Sequence, residues 1–186
     1  MRKNWAALAL TGMLCLTTFA GTQTVSAETA DSAKQVDIVF THDTHSHLNT
    51  FTTIVDEAEK EVGGFARINT LIQEQKAKNP DTLVIDGGDF SMGTLIQTVF
   101  ETQAAEIRML GYMGCDVTTL GNHEFDYRSK GLANMLNSAT ESGDNLPALV
   151  VCNVDWESME AAGLSEGQQL IRDAFDEYGV SDYVVL

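Results

Sequence analysis

Hydrophobic positions along the chain alternate between short β-branched runs and longer segments with helical spacing. The short runs predict strands, four complete and a fifth that begins near the last residues: 36–41, 82–86, 116–120, 148–154 and 182–186. Between them, apolar residues recur every three or four positions in 64–78, 94–113 and 129–139, which predicts helices. Residues 165–179 fit a weak helix or a loop. This alternation indicates an α/β fold with a mostly parallel sheet and helices on its faces.

The same spacing predicts which side chains reach the core. In the helix over 64–78 the core candidates are Phe65, Ile68, Leu71 and Ile72. In the helix over 94–113 they are Leu95, Val99, Ala105, Met109 and Leu110. Cys115 and Cys152 lie beside apolar runs, where free buried thiols are favoured over a disulfide.

Residues 1–27 have the pattern of a secretory signal peptide. Arg2 and Lys3 give a positive start, an apolar segment follows, and the small residues "VSA" at 25–27 form a cleavage site. The alternative, a membrane anchor, needs about 20 predominantly apolar residues, and threonines interrupt this segment. We therefore expect a secreted, periplasmic or cell-surface protein without stable membrane insertion after cleavage, with residues 28–35 as a polar spacer.

Composition narrows the classes of partner. With 44% hydrophobic residues the chain can build a packed core. Its net charge of −16 argues against nucleic acid or an anionic membrane as a partner. The charge does not exclude an anionic small-molecule substrate, because a bound cation can reverse the local field.

Side chains that ligate metals follow three of the predicted strands. The clusters are "HDTHSH" at 42–47, "DGGDFSMG" at 86–93 and "GNHEFDY" at 121–127, and they contain all 4 histidines of the chain. Each cluster alone could be an ordinary turn. In parallel sheets, however, ligands lie beyond the carboxyl ends of the strands, and Asp, His and Asn suit divalent first-row metals. Together the clusters predict a metal site at one edge of the sheet.

The three clusters in this order resemble the motifs of the calcineurin-like metallophosphoesterases. "VDIVFTHDTHSHL", "GGFARINTLI" and "LGNHEFDY" are similar to the branch of secreted 5′-nucleotidases and 2′,3′-cyclic-nucleotide phosphodiesterases, and the resemblance begins near Val36. It implies that residues 36–186 are the N-terminal half of a metallophosphoesterase α/β sandwich. It also implies a longer parent protein whose C-terminal domain binds the substrate.

The resemblance further implies a role for each site residue. Two divalent metal ions (Mn, Zn, Fe or Co) are expected, with Asp43 and His45 ligating the first, Asp89 bridging both, and Asn122 ligating the second. His123 is the expected catalytic histidine, and Asp126 is the carboxylate that orients it.

Four neighbouring side chains have supporting roles in this interpretation. Glu124 is expected to brace the ligands, and Asp86 to cap or brace the loop that Gly87 and Gly88 open. His42 and His47 flank the Asp43–His45 pair and are better interpreted as structural, hydrogen-bonded histidines.

The implied activity is hydrolysis of nucleotide phosphate esters. Two alternatives stay open at this point: a non-catalytic surface or binding module, and a related hydrolase of nucleotide sugars or sulfur compounds. The family's site also needs a lone histidine and a GHxH pair from its second half, and no histidine follows His123 here. We therefore expect the chain alone to be an inactive fragment with one sheet face uncovered.

Overall fold

The computed structural model describes residues 35–186, so the predicted signal peptide and nearly all of the spacer lie outside the described residues. In chain order the elements are β1 (Ile38–Thr41), β2 (Phe51–Val55), β3 (Ala58–Val62), α1 (Phe65–Lys78), β4 (Leu83–Asp86), α2 (Phe100–Gln103), α3 (Ala105–Tyr112), β5 (Val117–Thr118), α4 (Arg128–Glu141), β6 (Ala148–Leu149), α5 (Trp156–Ala162) and α6 (Glu166–Tyr178). Short 3-10 helices cover Leu95–Val99 and His123–Phe125.

The main sheet has four parallel strands in the order β1-β4-β5-β6. Thr41 at the end of β1 lies opposite Asp86 at the end of β4. Thr118 at the end of β5 lies opposite Leu149 at the end of β6. The prediction of a parallel α/β sheet is confirmed, and the carboxyl ends of all four strands lie along one edge.

Helices cover one face of this sheet. α4 turns Leu132, Leu136 and Ala139 inward, each 0% exposed, because residues four and seven apart share a helix face. Burying a large apolar side chain of this kind contributes about 1.5–3 kcal/mol. On β1, Ile38 and Phe40 remain 54% and 59% exposed, as expected for an uncovered apolar face. Among the described residues, no helix combines the length and apolar character needed to cross a membrane.

The predicted helix over 94–113 is broken into three pieces, so part of the expected core is wrong. Ala104, at a φ of 46°, separates α2 from α3, and the segment before α2 is a 3-10 helix that Thr94 caps. A 3-10 helix has three residues per turn, so its side chains fall out of phase with the following helix. Leu95 is consequently 87% exposed. In α1, Leu71 is also 58% exposed, whereas Phe65 and Ile72 are buried as predicted.

The predicted strand at 182–186 does not form, and the strand over 148–154 is shortened to β6. A single parallel bridge joins Val150 to Ser181, and Val185 is 85% exposed. Cys152, beyond the end of β6, is exposed, so its predicted burial is wrong. Cys115 is buried as predicted, and burial raises the pKa of its thiol to about 12. Both thiols are free, as expected.

The structure forms a helix where the sequence allowed a helix or a loop, and it contains a hairpin that the sequence did not predict. The weak helix at 165–179 is α6, which begins with a capping box between Ser165 and Gln168. The hairpin of β2 and β3 was not predicted; Val55 pairs with Ala58 and leaves a two-residue turn. This hairpin connects the first cluster of polar residues to α1.

Candidate metal centre

The loops that follow β1 and β4 run side by side beyond the edge of the sheet. The backbone N–H of Asp43 donates to the carbonyl of Gly88 at 3.0 Å, and that of His45 donates to the carbonyl of Asp89 at 3.1 Å. The Ser46 N–H continues this pairing. The first two polar clusters of the sequence are therefore held together by their backbones.

Both loops use left-handed backbone at the residues predicted to ligate metals. Asp43, His45 and Asp89 have φ values of 52°, 44° and 52°. Left-handed conformations cost free energy in residues with a Cβ, and such strain collects at functional sites. Gly88, at a φ of 86°, meets a second constraint, because a Cβ there would lie 2.6 Å from the backbone nitrogen of Gly121. The loop after β5 therefore packs closely against the loop after β4.

Three of the predicted site residues form a compact group of donors. His45, Asp89 and His123 each offer one atom that could bind a metal, and the three atoms lie within 4.8 Å of one another. The two imidazole rings meet edge to face with their centroids 5.0 Å apart. The backbone N–H of His123 donates to Asp89 Oδ1 at 2.9 Å, which joins the third loop to the second.

The two histidine rings are held so that Nε2 is the free nitrogen. His45 Nδ1 lies 3.0 Å from the carbonyl oxygen of Met92, to which its N–H donates. His123 Nδ1 lies 2.9 Å from Asp126 Oδ2, and this hydrogen bond raises the pKa of His123. Metal-ligating histidines in proteins are held in this way, with the far ring N–H donated to a carbonyl or a carboxylate. The donor set therefore fits a divalent cation.

Asp43 and Asn122 lie beside this group. Asp43 Oδ1 is 3.9 Å from His45 Nε2, and its other oxygen accepts a 2.7 Å hydrogen bond from His42 Nδ1. That hydrogen bond is the main cause that lowers the pKa of Asp43. Asn122 immediately precedes His123; its side chain is exposed and makes no capping bond to the 3-10 helix. The structure thus brings Asp43, His45, Asp89 and His123 together and leaves the Asn122 side chain exposed beside them.

Glu124 links the loop after β4 to the loop after β5 through hydrogen bonds. Its carboxylate is fully buried and accepts from the backbone N–H groups of Asp89, Ser91 and Gly121 at 3.0, 3.0 and 2.7 Å. The Ser91 hydroxyl donates to it at 2.8 Å. The predicted bracing role is confirmed, because one carboxylate fixes the backbone around the Asp89 side chain.

Asp86 fixes the strand ends in a similar manner. It accepts from the Thr41 and Thr118 hydroxyls at 2.7 and 2.9 Å and from the Gly88 N–H at 3.0 Å. Burial raises the pKa of Asp86 despite these bonds. Its predicted role as a brace of the glycine loop is confirmed, and it also joins β1, β4 and β5.

A buried pair next to the site was not predicted. The Ser46 hydroxyl donates to Glu106 Oε1 at 2.6 Å, and both residues are 0% exposed. One signal for Glu106 was present in the sequence: it stands four and seven residues before Leu110 and Met113 on the apolar face of its helix. A carboxylate at a core position normally has a specific partner.

Comparison with known proteins agrees with this geometry. Residues 36–181 match the family model described as calcineurin-like phosphoesterase. The chain is 31% identical over 182 residues to a 5′-nucleotidase-related protein of Glossina morsitans morsitans, covering 94% of this chain and 31% of that relative. It is 31% identical to the NAD 5′-nucleotidase of Haemophilus influenzae, over 59% of this chain and 19% of that relative.

A solved structure shows the same fold. The 5′-nucleotidase precursor from Thermus thermophilus superposes with a TM-score of 0.62 at 27% identity, covering 81% of this chain and 26% of that one. The chain spans less than a third of the length of the curated relatives named above. Since the family model covers most of the chain and the fold and polar clusters agree with it, the chain belongs to the calcineurin-like phosphoesterase family.

Proposed function

We propose that this chain carries part of a metal-dependent site that hydrolyses nucleotide phosphate esters. The observation that supports the proposal most strongly is the group of His45, Asp89 and His123 at the carboxyl edge of the parallel sheet. The His45 imidazole and the Asp89 carboxylate are donors that suit divalent first-row metals, and the His123 imidazole lies beside them. Membership in the phosphoesterase family supplies the reaction class.

In this proposal the four metal ligands are Asp43, His45, Asp89 and Asn122. Asp89 is the shared ligand, since a carboxylate has two oxygens and its loop is fixed by Glu124. The exposed Asn122 side chain adds an uncharged oxygen ligand. Divalent cations held here would supply Lewis-acid activation of water and of the phosphoryl oxygens. The donor types suit Mn, Zn, Fe or Co, and availability decides among them.

His123 is proposed as the proton donor or charge stabiliser at the leaving oxygen. Its Nδ1 is occupied by Asp126 at 2.9 Å, which fixes the ring and leaves Nε2 as the nitrogen available to the substrate. An acid–base group must be held within hydrogen-bond reach of the atom it serves. The pair also argues against a pure binding module, which has no need of an oriented histidine next to a metal.

Nucleotides are the proposed substrates because the relatives carry nucleotidase names. One is a 5′-nucleotidase-related protein and another is a NAD 5′-nucleotidase. We include the NAD type as a second candidate on the strength of that relative.

The test is chelator-sensitive hydrolysis by the gene product that carries this chain. AMP, 2′,3′-cyclic AMP and NAD are each assayed before and after treatment with EDTA, and again after Mn²⁺ or Zn²⁺ is restored. The proposal expects product from at least one substrate, lost with EDTA and regained with metal: adenosine and phosphate from AMP, adenosine monophosphate from 2′,3′-cyclic AMP, or AMP and nicotinamide mononucleotide from NAD. Release that EDTA leaves unchanged, or no release from any of the three, would contradict it.

We also propose that residues 28–186 by themselves do not turn over substrate. In the part of the chain that the structure describes, a single group of three or more acidic, histidine or cysteine donors is present. With Asp89 shared, the second cation has only Asn122 as its other proposed ligand, fewer than the three protein ligands usual where water completes the coordination of a catalytic metal. Turnover by the isolated segment that disappears in its Asp89→Asn variant would refute this proposal.

A further inference from the structure

Glu106 is a buried acid whose position core packing does not explain. It lies in the first turn of α3 and is 0% exposed, and its Oε2 has no hydrogen-bond partner. Burial raises its pKa. A buried carboxyl group is costly to desolvate unless it has a specific hydrogen-bond partner. Its bond to Ser46, at 2.6 Å, is the contact through which it can act.

Ser46 adjoins the proposed ligand His45 in a strained turn. The two residues have φ values of 44° and 55°, consecutive left-handed conformations in residues with a Cβ. Such backbone persists only where the surroundings over-determine it. Four hydrogen bonds hold Ser46. Its N–H donates to the Phe90 carbonyl at 2.8 Å, and its carbonyl accepts from the Thr94 hydroxyl at 2.7 Å and from the Leu48 N–H at 2.8 Å. Its hydroxyl donates to Glu106.

We propose that Glu106 is a positioning residue for the metal centre. By holding the Ser46 hydroxyl, it fixes the left-handed turn that places the His45 ring against the carbonyls of Ser91 and Met92. That placement occupies Nδ1 and leaves His45 Nε2, which lies 3.9 Å from Asp43 Oδ1, available to a metal. The inference rests on the proposed function, because it assigns Glu106 a role only if His45 ligates a metal. Glu106 touches neither the metal donors nor the substrate in this account.

The test uses a leucine and a glutamine at position 106. Glu106→Leu keeps a side chain of similar size but removes the acceptor for the Ser46 hydroxyl. Glu106→Gln keeps an acceptor oxygen without the charge. Metal-stripped gene product is titrated with Co²⁺, whose visible absorption reports ligand geometry. We expect Glu106→Leu to weaken Co²⁺ affinity by about 10-fold to 100-fold, the usual effect of losing a group that orients a ligand. Glu106→Gln should stay within about threefold of the wild type.

Thermal unfolding of the metal-free proteins separates positioning from mere stability. Glu106→Leu leaves the buried Ser46 hydroxyl without an acceptor, so some loss of Tm is expected. A positioning role predicts that its loss of Co²⁺ affinity is far larger than that of a variant with a similar loss of Tm. The control is Leu136→Ala, which opens a cavity in α4 away from the loops and should lower the Tm with Co²⁺ affinity unchanged. If Glu106→Leu does not fold, Ser46→Ala decides, since it removes the donor of the same bond and should weaken Co²⁺ binding similarly.

The outcomes distinguish the two proposals. Co²⁺ binding by Glu106→Leu equal to that of the wild type would overturn the inference and leave the proposed function intact. Loss of binding in Glu106→Gln as large as in Glu106→Leu would also overturn it, because the hydrogen bond would then not carry the effect. A wild-type protein that binds no Co²⁺ would overturn the proposed function, and with it the role of Glu106.

Discussion

His123 is placed to serve either as a metal ligand or as an acid–base group. One of its ring nitrogens lies within 4.8 Å of donor atoms of His45 and Asp89, close enough to share a metal with them, while its bond to Asp126 suits an acid–base group. The family resemblance assigns it the catalytic role. The same hydrogen bond raises the pKa of His123. A variant at this position separates the two roles.

His123→Ala should leave the metals bound and slow turnover by about 10²-fold to 10⁴-fold, the usual contribution of a positioned acid–base group. Metal content per chain and kcat are measured on the gene product that carries this chain. The matched control is His47→Ala, which removes a ring that contacts the Thr44 carbonyl and Phe51 outside the donor group. Loss of metal in His123→Ala would make it a ligand, and an unchanged kcat would remove it from the mechanism.

At the residue scale, the sequence predicted the site where the chemistry is local. Asp43 and His45 are two positions apart, and the cluster around His123 lies within seven residues, so each motif is short enough to be recognised, and the family resemblance of the motifs implied the roles of these residues. Glu106 could not be assigned in this way. Its partner Ser46 is 60 positions away, and only the packing of α3 against the first loop brings the two together.

At the scale of elements, hydrophobic runs in the sequence predicted the strands of the main sheet but not the hairpin of β2 and β3. β4 is almost the predicted strand, because its run "TLVID" is short, apolar and β-branched. β3, "AEKEV", consists largely of residues that strands disfavour, and its turn lacks the glycine that usually marks a hairpin. The break at Ala104 was missed for a related reason, since a left-handed alanine leaves no mark in the sequence.

The hairpin turn offers a direct stability test. Asp56 and Glu57 have φ values of 53° and 62°, the conformation that Asp-Gly adopts most readily. Glu57→Gly should therefore stabilise the hairpin by about 1 kcal/mol, because glycine avoids the left-handed penalty of a residue with a Cβ. The control is Glu59→Gly, a strand position, where glycine should weaken the hairpin.

Amide hydrogen exchange of β2 and β3 measures both variants. The prediction is slower exchange in Glu57→Gly and faster exchange in Glu59→Gly than in the wild type. Equal or faster exchange in Glu57→Gly would show that the turn is not strained as described.

At the scale of the whole molecule, the predicted signal peptide bears on where the site operates. We propose that residues 1–27 direct export and are removed, which is consistent with the positive start and apolar run of that segment. Mass spectrometry of the protein secreted by an expressing cell should find Glu28 as the first residue. An exported protein that keeps Met1 to Ala27 would contradict cleavage, and retention inside the cell would contradict export.

The central claim is that the carboxyl edge of the sheet binds divalent metal through Asp89. The most direct measurement is the metal content of the gene product, of Asp89→Asn and of Asp116→Asn after equilibration with Mn²⁺ or Zn²⁺ and gel filtration. Asp116 accepts from the Val84 N–H just before β5, at the opposite end of the strands, and loses the same charge. The account predicts bound metal in the wild type and in Asp116→Asn, and loss of most of it in Asp89→Asn. Asp89→Asn that retains as much metal as the wild type would contradict it.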